Sequence, residues 1–264
     1  MILELPNHRK GYLLVLRDVT RERLVEKMKN EFVALAAHQL RTPLSAIKWT
    51  LKMFLEGEMG KITKEQAEIL EKGYRSNEHM IRLINELLEI TRIEEGRYIE
   101  HPVETHLEPL VESVVNSFKE EAEQKGVSLV YKKPTEPLPK VRIDTEKIRQ
   151  VIINLIDNAI RYNKKGGKVT ITLKYVTKKI DDLTGEKWIE CEVKDTGIGI
   201  PKDQQRRIFE RFFRGSNAIR KETEGSGLGL YISKNIIEAH EGRLWFESEE
   251  GKGSTFIFSL PVVG

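Results

Sequence analysis

The stretch Phe32-Val33-Ala34-Leu35-Ala36-Ala37-His38-Gln39-Leu40-Arg41-Thr42-Pro43-Leu44-Ser45-Ala46-Ile47-Lys48 decides how the chain is read. Apolar residues recur at Val33, Ala37, Leu40, Leu44, Ile47, Leu51 and Phe54 in alternating steps of four and three, the seam of a long helix packed against partners. His38 lies about 140° from the middle of that seam, and Thr42, Ser45 and Trp49 share its outer face. The pattern therefore predicts a histidine in water. Most exposed histidines are simply solvated, so this one gains meaning only if the rest of the chain brings it an electrophile. A free imidazole, with a pKa of about 6.5, is mostly uncharged at cytosolic pH and is then a nucleophile. Pro43 removes one backbone donor inside the run and predicts a bend just after the histidine.

Composition narrows the function classes. Forty-four basic and 41 acidic residues leave a net charge of only +3 over 264 residues, so a nucleic-acid-binding role is not indicated. The single cysteine, Cys191, forbids an intramolecular disulfide and fits a reducing cytosol. No run approaches the roughly eighteen apolar residues of a membrane span, and the amino terminus has no signal-peptide layout. The chain is expected to be soluble and cytoplasmic without membrane contact, leaving room for an anchor in a longer parent.

Gly11 to Arg17 reads as a strand, and Asp18-Val19-Thr20 as a helix start. A strand running into a long helix through Asp-x-Thr resembles the end of a PAS sensor module, so residues 1–19 are expected to be the remnant of a sensor. The first helix is predicted from about Thr20 to Glu56 and the second from near Thr63 to about Glu95. The second seam is Ala67, Leu70, Tyr74, Asn77, Ile81, Ile84, Leu88 and Thr91, widened by Leu83, Leu87 and Ile90. A lone hairpin cannot cover stripes this long, and the economical solution is a homodimeric four-helix bundle over residues 20–96.

After a linker at 97–103 the pattern changes. Residues 104–264 predict helices at Leu107–Lys125, Asp144–Asn163 and Leu228–His240. Strands are expected at Val127–Lys132, Lys168–Val176, Trp188–Lys194, Arg243–Glu247 and Ser254–Leu260, with a hairpin turn at Asp181–Gly185. The expected class is α+β: a helical hairpin followed by an α/β sandwich with a mostly antiparallel sheet.

Three stretches in the second part carry chemistry. Asn154 and Asn158 lie four apart on one helix, where paired amides can hold a magnesium ion through oxygen. Asp195-Thr196-Gly197-Ile198-Gly199 follows a strand; its carboxylate can accept from an exocyclic amine, and its glycines let backbone approach a flat ligand. Gly225-Ser226-Gly227-Leu228-Gly229 opens a helix whose free amides suit a phosphate chain. Taken singly, the alternatives are two ordinary helical asparagines and two tight turns.

In this order the three resemble the asparagine box and two glycine boxes of the histidine-kinase branch of the ATPases shared with gyrase, the heat-shock chaperone and mismatch repair. Ile208-Phe209-Glu210-Arg211-Phe212-Phe213-Arg214 resembles that branch's phenylalanine box, and Phe32 to Lys48 its phospho-acceptor box. The resemblance implies a dimeric sensor histidine kinase core using ATP and magnesium, with a response-regulator receiver domain as partner. It assigns His38 as the phosphorylated residue, Asn158 as magnesium ligand, Tyr162 against adenine and Asp195 as the adenine-recognising carboxylate. Arg161, Lys165 and Arg214 are implied phosphate contacts, and Asn154, Gly197, Gly199, Gly225, Gly227, Leu228 and Gly229 complete the nucleotide site.

Two positions bear on the reaction. Water-using relatives place a glutamate four residues before the metal-binding asparagine; Asn154 stands there and cannot take a proton. The family's acceptor box has an acid after the histidine, and here Gln39 replaces it, which leaves open a phosphatase-dominant or nucleotide-sensing scaffold role. Thr42 keeps the position that orients water for dephosphorylating the regulator. Between Gly199 and Gly227, seven basic and four acidic residues predict a positive, mobile lid.

Overall fold

The computed structural model describes residues 2–5, 9–12, 20–94, 99, 101–179, 185–222 and 225–263. They divide into two compact units, Met1–Thr91 and Arg92–Gly264.

The first unit opens with two short antiparallel strands, β1 (Ile2–Leu5) and β2 (Arg9–Tyr12), in the register Ile2 to Tyr12. Of the strand expected at Gly11 to Arg17, Gly11 and Tyr12 lie in β2, and residues 13–17 and the cap at Asp18 lie outside the described residues. Two long helices follow, α1 (Thr20–Leu55) and α2 (Lys64–Glu94), and α1 is continuous through Pro43. The start of α2 is a reciprocal cap. The Thr63 N–H donates to Gln66 Oε1 at 2.8 Å, and the Gln66 N–H donates to Thr63 Oγ1 at 3.2 Å.

Ala37 and Leu44 of α1 and Ile90 and Ile93 of α2 are buried, with Asn30, Asn77 and Thr91 among them. Asn77 Nδ2 donates to the Leu44 carbonyl at 2.9 Å, so one polar seam residue is spent on backbone. Arg41 donates to Asn85 Oδ1 at 2.5 Å, and Lys48 pairs with Glu78 at 2.7 Å. The predicted seam divides at two positions: Leu40 and Ile47 are 53% and 48% exposed rather than buried. An antiparallel pair covers only one sector of each helix, so apolar residues outside that sector stay in water within one chain.

The second unit contains β3 (Val103–Thr105), α3 (Leu107–Ser117), α4 (Lys119–Gln124), β4 (Ser128–Lys132), β5 (Val141–Ile143) and α5 (Thr145–Arg161). It continues with β6 (Lys168–Lys179), β7 (Gly185–Asp195), α6 (Ser216–Lys221), α7 (Gly229–Ala239), β8 (Arg243–Glu249) and β9 (Gly253–Pro261). The helix expected from Leu107 to Lys125 is broken at Phe118, where the Ser117 hydroxyl turns back to the Val114 carbonyl at 2.7 Å. Val103 belongs to β3 rather than to the linker, and residues 95–98 and 100 lie outside the description. The β6–β7 turn at 180–184 also lies outside it.

The main sheet has the order β4-β6-β7-β9-β8, with only β4 and β6 parallel. Val169, Ile171 and Leu173 of β6 stand opposite Asp195, Val193 and Cys191 of β7, all buried. The intervening Thr172 and Lys174 face Glu192 and Glu190 on the other side. Helix α5 lays Ile148, Val151, Ile152, Leu155, Ile156, Ala159 and Ile160 into the core. Each of the large ones stabilises by about 1.5–3 kcal/mol on burial. Asp144 caps α5 by accepting from the Glu146 and Lys147 N–H groups at 3.2 and 3.3 Å.

Candidate active site

The apolar face of α5 anchors it to the sheet and leaves the two asparagines on its flank toward α7. Asn158 Nδ2 donates to Asn154 Oδ1 at 3.3 Å, and Asn154 Nδ2 donates to Ser233 Oγ on α7 at 2.9 Å. A Cβ on Gly229 would collide with Asn154 Oδ1, so only glycine lets α7 begin this close to α5. The asparagine and second glycine boxes are therefore one packed cluster. Among the described residues, Asn158 Oδ1 has no hydrogen-bond partner.

The carboxyl end of α5 meets the turn after β7. The Tyr162 carbonyl accepts from the Ile198 N–H at 3.1 Å, and a Cβ on Gly197 would stand 2.5 Å from that carbonyl oxygen. Asn163 and Thr196 lock the same corner: the Thr196 hydroxyl donates to Asn163 Oδ1 at 3.3 Å and accepts from the Lys168 N–H at 2.9 Å.

Asp195 is 8% exposed. Its Oδ1 accepts from the Gly197 N–H at 2.7 Å and the Ser254 N–H at 3.2 Å. Burial pushes its carboxyl up to about 6, against the opposing pull of those two donors. Oδ2 takes no bond among the described residues and is available to a ligand donor.

The segment expected to be a lid holds a 3-10 turn at Gln205–Arg207 and α6; residues 223 and 224 lie outside the description. Phe209 meets Phe246 edge-on at 5.9 Å, and Phe246 stacks on Phe256 at 5.7 Å, which fastens the phenylalanine box to the sheet. The Arg211 guanidinium lies 4.7 Å over the Tyr231 ring and donates to its hydroxyl at 2.6 Å. Arg214 donates to the Glu222 carbonyl, and its guanidinium faces Gly225. Gly227, at φ +71°, passes so close to Phe212 and Phe213 that a Cβ would stand 2.7 Å from the Phe212 carbonyl carbon. Leu228 is buried, and Asn217 Nδ2 donates to the Gly199 carbonyl at 2.9 Å.

Arg161 pairs with Asp157 at 3.8 Å. Lys165 is exposed and rests its stem against Gly126 in the turn before β4. His38, Gln39 and Thr42 are exposed on α1, in the first unit. Sequence alone does not mark Ser233 or Ser254 as site residues. Each acts through a partner distant in the chain, and a lone polar residue of this kind carries no local motif. No group of three or more His, Cys, Asp or Glu able to hold a metal occurs among the described residues. A magnesium ion needs no such group when phosphate oxygens and water complete its shell, and the unpartnered amide oxygen of Asn158 is a suitable hard donor.

Residues 143–264 match the family model of the histidine kinase-, DNA gyrase B-, and HSP90-like ATPases. Residues 28–96 match the His Kinase A phospho-acceptor domain. The chain belongs to the sensor histidine kinases. It is 35% identical over 252 residues to the sensor histidine kinase WalK of Bacillus subtilis, covering 95% of this chain and 39% of that protein. It is 33% identical over 260 residues to the sensor protein SrrB of Staphylococcus aureus, covering 96% of this chain and 41% of that one. This histidine kinase chain thus spans about two fifths of the length of these relatives. Its fold resembles full-length ShkA, solved in complex with AMPPNP, at a TM-score of 0.69 and 28% identity over 89% of this chain and 46% of ShkA. It also resembles the catalytic domain of the histidine kinase ThkA, at a TM-score of 0.51 and 31% identity over 62% of this chain and all of that domain. No helix among the described residues is long and apolar enough to cross a membrane.

Proposed function

We propose that the chain transfers the γ-phosphoryl group of ATP to His38 and then to an aspartate of a response-regulator receiver domain. The observation that carries this reading is the packed Asn154–Asn158–Gly229 cluster beside a buried Asp195 whose Oδ2 is unspent, on a chain that also exposes His38. The Oδ2 atom accepts the adenine amine, Tyr162 lies against the ring, and the amides opening α7 meet the phosphates with Arg161, Lys165 and Arg214. Asn158 Oδ1 would hold magnesium, which supplies neutralisation of phosphate charge when bound. An imidazole nitrogen of His38 forms the new N–P bond as the β,γ-bridging P–O bond breaks and ADP leaves with the electron pair. The ring proton passes to a base, which Gln39 cannot be. Asn154 cannot activate water, so the histidine is the favoured acceptor.

Residues 20–96 form the dimerisation and acceptor hairpin in this reading, and residues 104–264 the catalytic domain. The regulator docks near His38 on Thr42, Ser45 and Trp49, all exposed. Label from γ-labelled ATP should be retained by the wild type in acid-labile, alkali-stable form and be absent from His38→Ala. Label retained by His38→Ala would overturn the assignment. A phosphatase-dominant protein is the second reading, favoured by Gln39 beside Thr42 on one exposed surface; it requires His38→Ala to strip phosphate from a labelled regulator.

A further inference from the structure

We propose that His240 is a positioning residue of the nucleotide site: its neutral ring pins the end of α7 to the start of α5, and a proton on that ring competes with nucleotide binding. The inference rests on the function proposed above, in which α5 carries Asn154 and Asn158 and α7 opens at Gly229.

His240 follows the last residue of α7 and is 5% exposed. Its Nε2 accepts from the Asp144 N–H at 2.9 Å, and its Nδ1 stands 2.7 Å from the Ile236 carbonyl oxygen. Both partners are backbone groups with one role each, since an amide N–H can only donate and a carbonyl oxygen can only accept. The ring therefore carries its proton on Nδ1, leaves Nε2 bare and is neutral. Burial favours that state and holds the ring below the ordinary 6.5, against the pull of the Ile236 carbonyl and the Asp144 carboxylate. The turn around the ring has no slack. Glu241 sits at φ +58°, a strained conformation for a residue with a side chain. A Cβ on Gly242 would stand 2.3 Å from the Ser259 carbonyl oxygen, so the end of α7 lies hard against β9.

Asp144 caps α5, so the ring joins the start of one helix to the end of the other. Asn154 and Ser233 join the same two helices at 2.9 Å. The pair is thus antiparallel and fastened at two places roughly 15 Å apart along α5. Gly229 meets Asn154 with no room for a Cβ, so a small relative shift of the helices disturbs the contact between the two boxes. A proton on Nε2 turns its acceptor into a donor, and two donors then face each other. The Asp144 carboxylate is the charged group that bears on the ring. It already takes the Glu146 and Lys147 N–H groups and, through Oδ2, the His101 N–H at 3.3 Å. Drawing it to a charged ring would uncap α5. Arg142 on β5, Glu146 on α5, Glu238 on α7, and Glu241 and Arg243 beyond it are exposed, and Lys147 is half-buried; charges in water are screened. Protonation therefore releases the start of α5 from α7. By linkage, nucleotide that needs both helices in place drives the proton off.

Asp195 and phosphate groups titrate in the same range, so affinity against pH does not isolate the ring, whereas the ring's own midpoint does. Nuclear magnetic resonance of the imidazole nitrogens in the full wild-type chain reads it, with the signal assigned by its absence from His240→Gln. The free chain should show the Nδ1–H tautomer and a midpoint below 6.5, and saturating ADP with magnesium should lower that midpoint by about half a pH unit or more. A midpoint that ADP leaves unmoved overturns the proposal. His240→Leu removes the acceptor and should weaken ADP binding at pH 8 by about 3–10-fold, the share of one buried hydrogen bond, when affinity is referred to the folded fraction read by circular dichroism. His240→Gln offers an amide oxygen to the Asp144 N–H and should stay within about twofold of wild type. Equal affinity in His240→Leu and His240→Gln also overturns the proposal. Failure of the wild type to bind ADP at any pH overturns the functional reading itself.

Discussion

Asp195 holds a charge that its surroundings oppose. Its carboxyl is raised from 3.8 to about 6 by burial, so the folded chain binds this proton more tightly than the unfolded chain. The stabilisation from that proton is complete below the ordinary value and is lost as pH rises through about 6. At neutral pH the buried charge costs about 3 kcal/mol on this reckoning. Asn at this position keeps an oxygen for the Gly197 and Ser254 N–H groups and removes the charge. Urea unfolding at pH 7.5 should therefore show Asp195→Asn more stable than wild type by up to about 3 kcal/mol, with nucleotide affinity sharply reduced because a donor now faces the adenine amine. A variant no more stable than wild type would show that the charge is solvated. Such a trade of stability for function is common at binding sites.

Gln39 is the second residue whose chemistry separates from its fold. It is exposed on α1, so its replacement costs the hairpin little. Gln39→Glu should raise the rate of autophosphorylation by up to about 100-fold, the lower end of what a placed general base contributes. An unchanged or lower initial rate of label incorporation would show that another group already takes the proton.

At the level of elements, the reciprocal cap at Thr63 and Gln66 stops the turn from fraying into α2. Thr63→Ala removes one half of it and should destabilise the hairpin by about 1 kcal/mol, read as a lowered midpoint in thermal unfolding followed by circular dichroism. Thr63→Ser should restore most of that loss, because it keeps the hydroxyl. The elements were legible to different degrees. Long periodic runs set α1, α2 and α5 to within a residue or two. The three-residue strands β3 and β5 have no period of their own, and they exist because each supplies the other's backbone partners. The break at Phe118 was equally hidden, since apolar spacing continues through it while the Ser117 hydroxyl competes locally for backbone.

At the level of the whole molecule, the first unit leaves a series of large apolar side chains on its two long helices in water. Phe32 is 70% exposed, and Met28, Leu35, Leu40, Ile47, Met80 and Leu87 are also open to solvent. A second copy of the hairpin is the proposed cover. Leu40→Glu should shift the chain from dimer toward monomer in sedimentation equilibrium, raising the dissociation constant by about tenfold or more, because a carboxylate would be buried at the seam. A wild-type chain that sediments as a monomer at micromolar concentration would sink that assignment.

Residue order alone determined the helical hairpin, the outward histidine and the three boxes, because helical period, glycine spacing and chemistry-bearing side chains are local properties. Tertiary structure decided what those boxes share. Asn154 meets Gly229 and Ser233 across about eighty residues, and Asp195 meets Ser254 across about sixty. Such hydrogen bonds join groups far apart in the chain, and only the packing of α5 against α7 and the pairing of β7 with β9 bring them within reach.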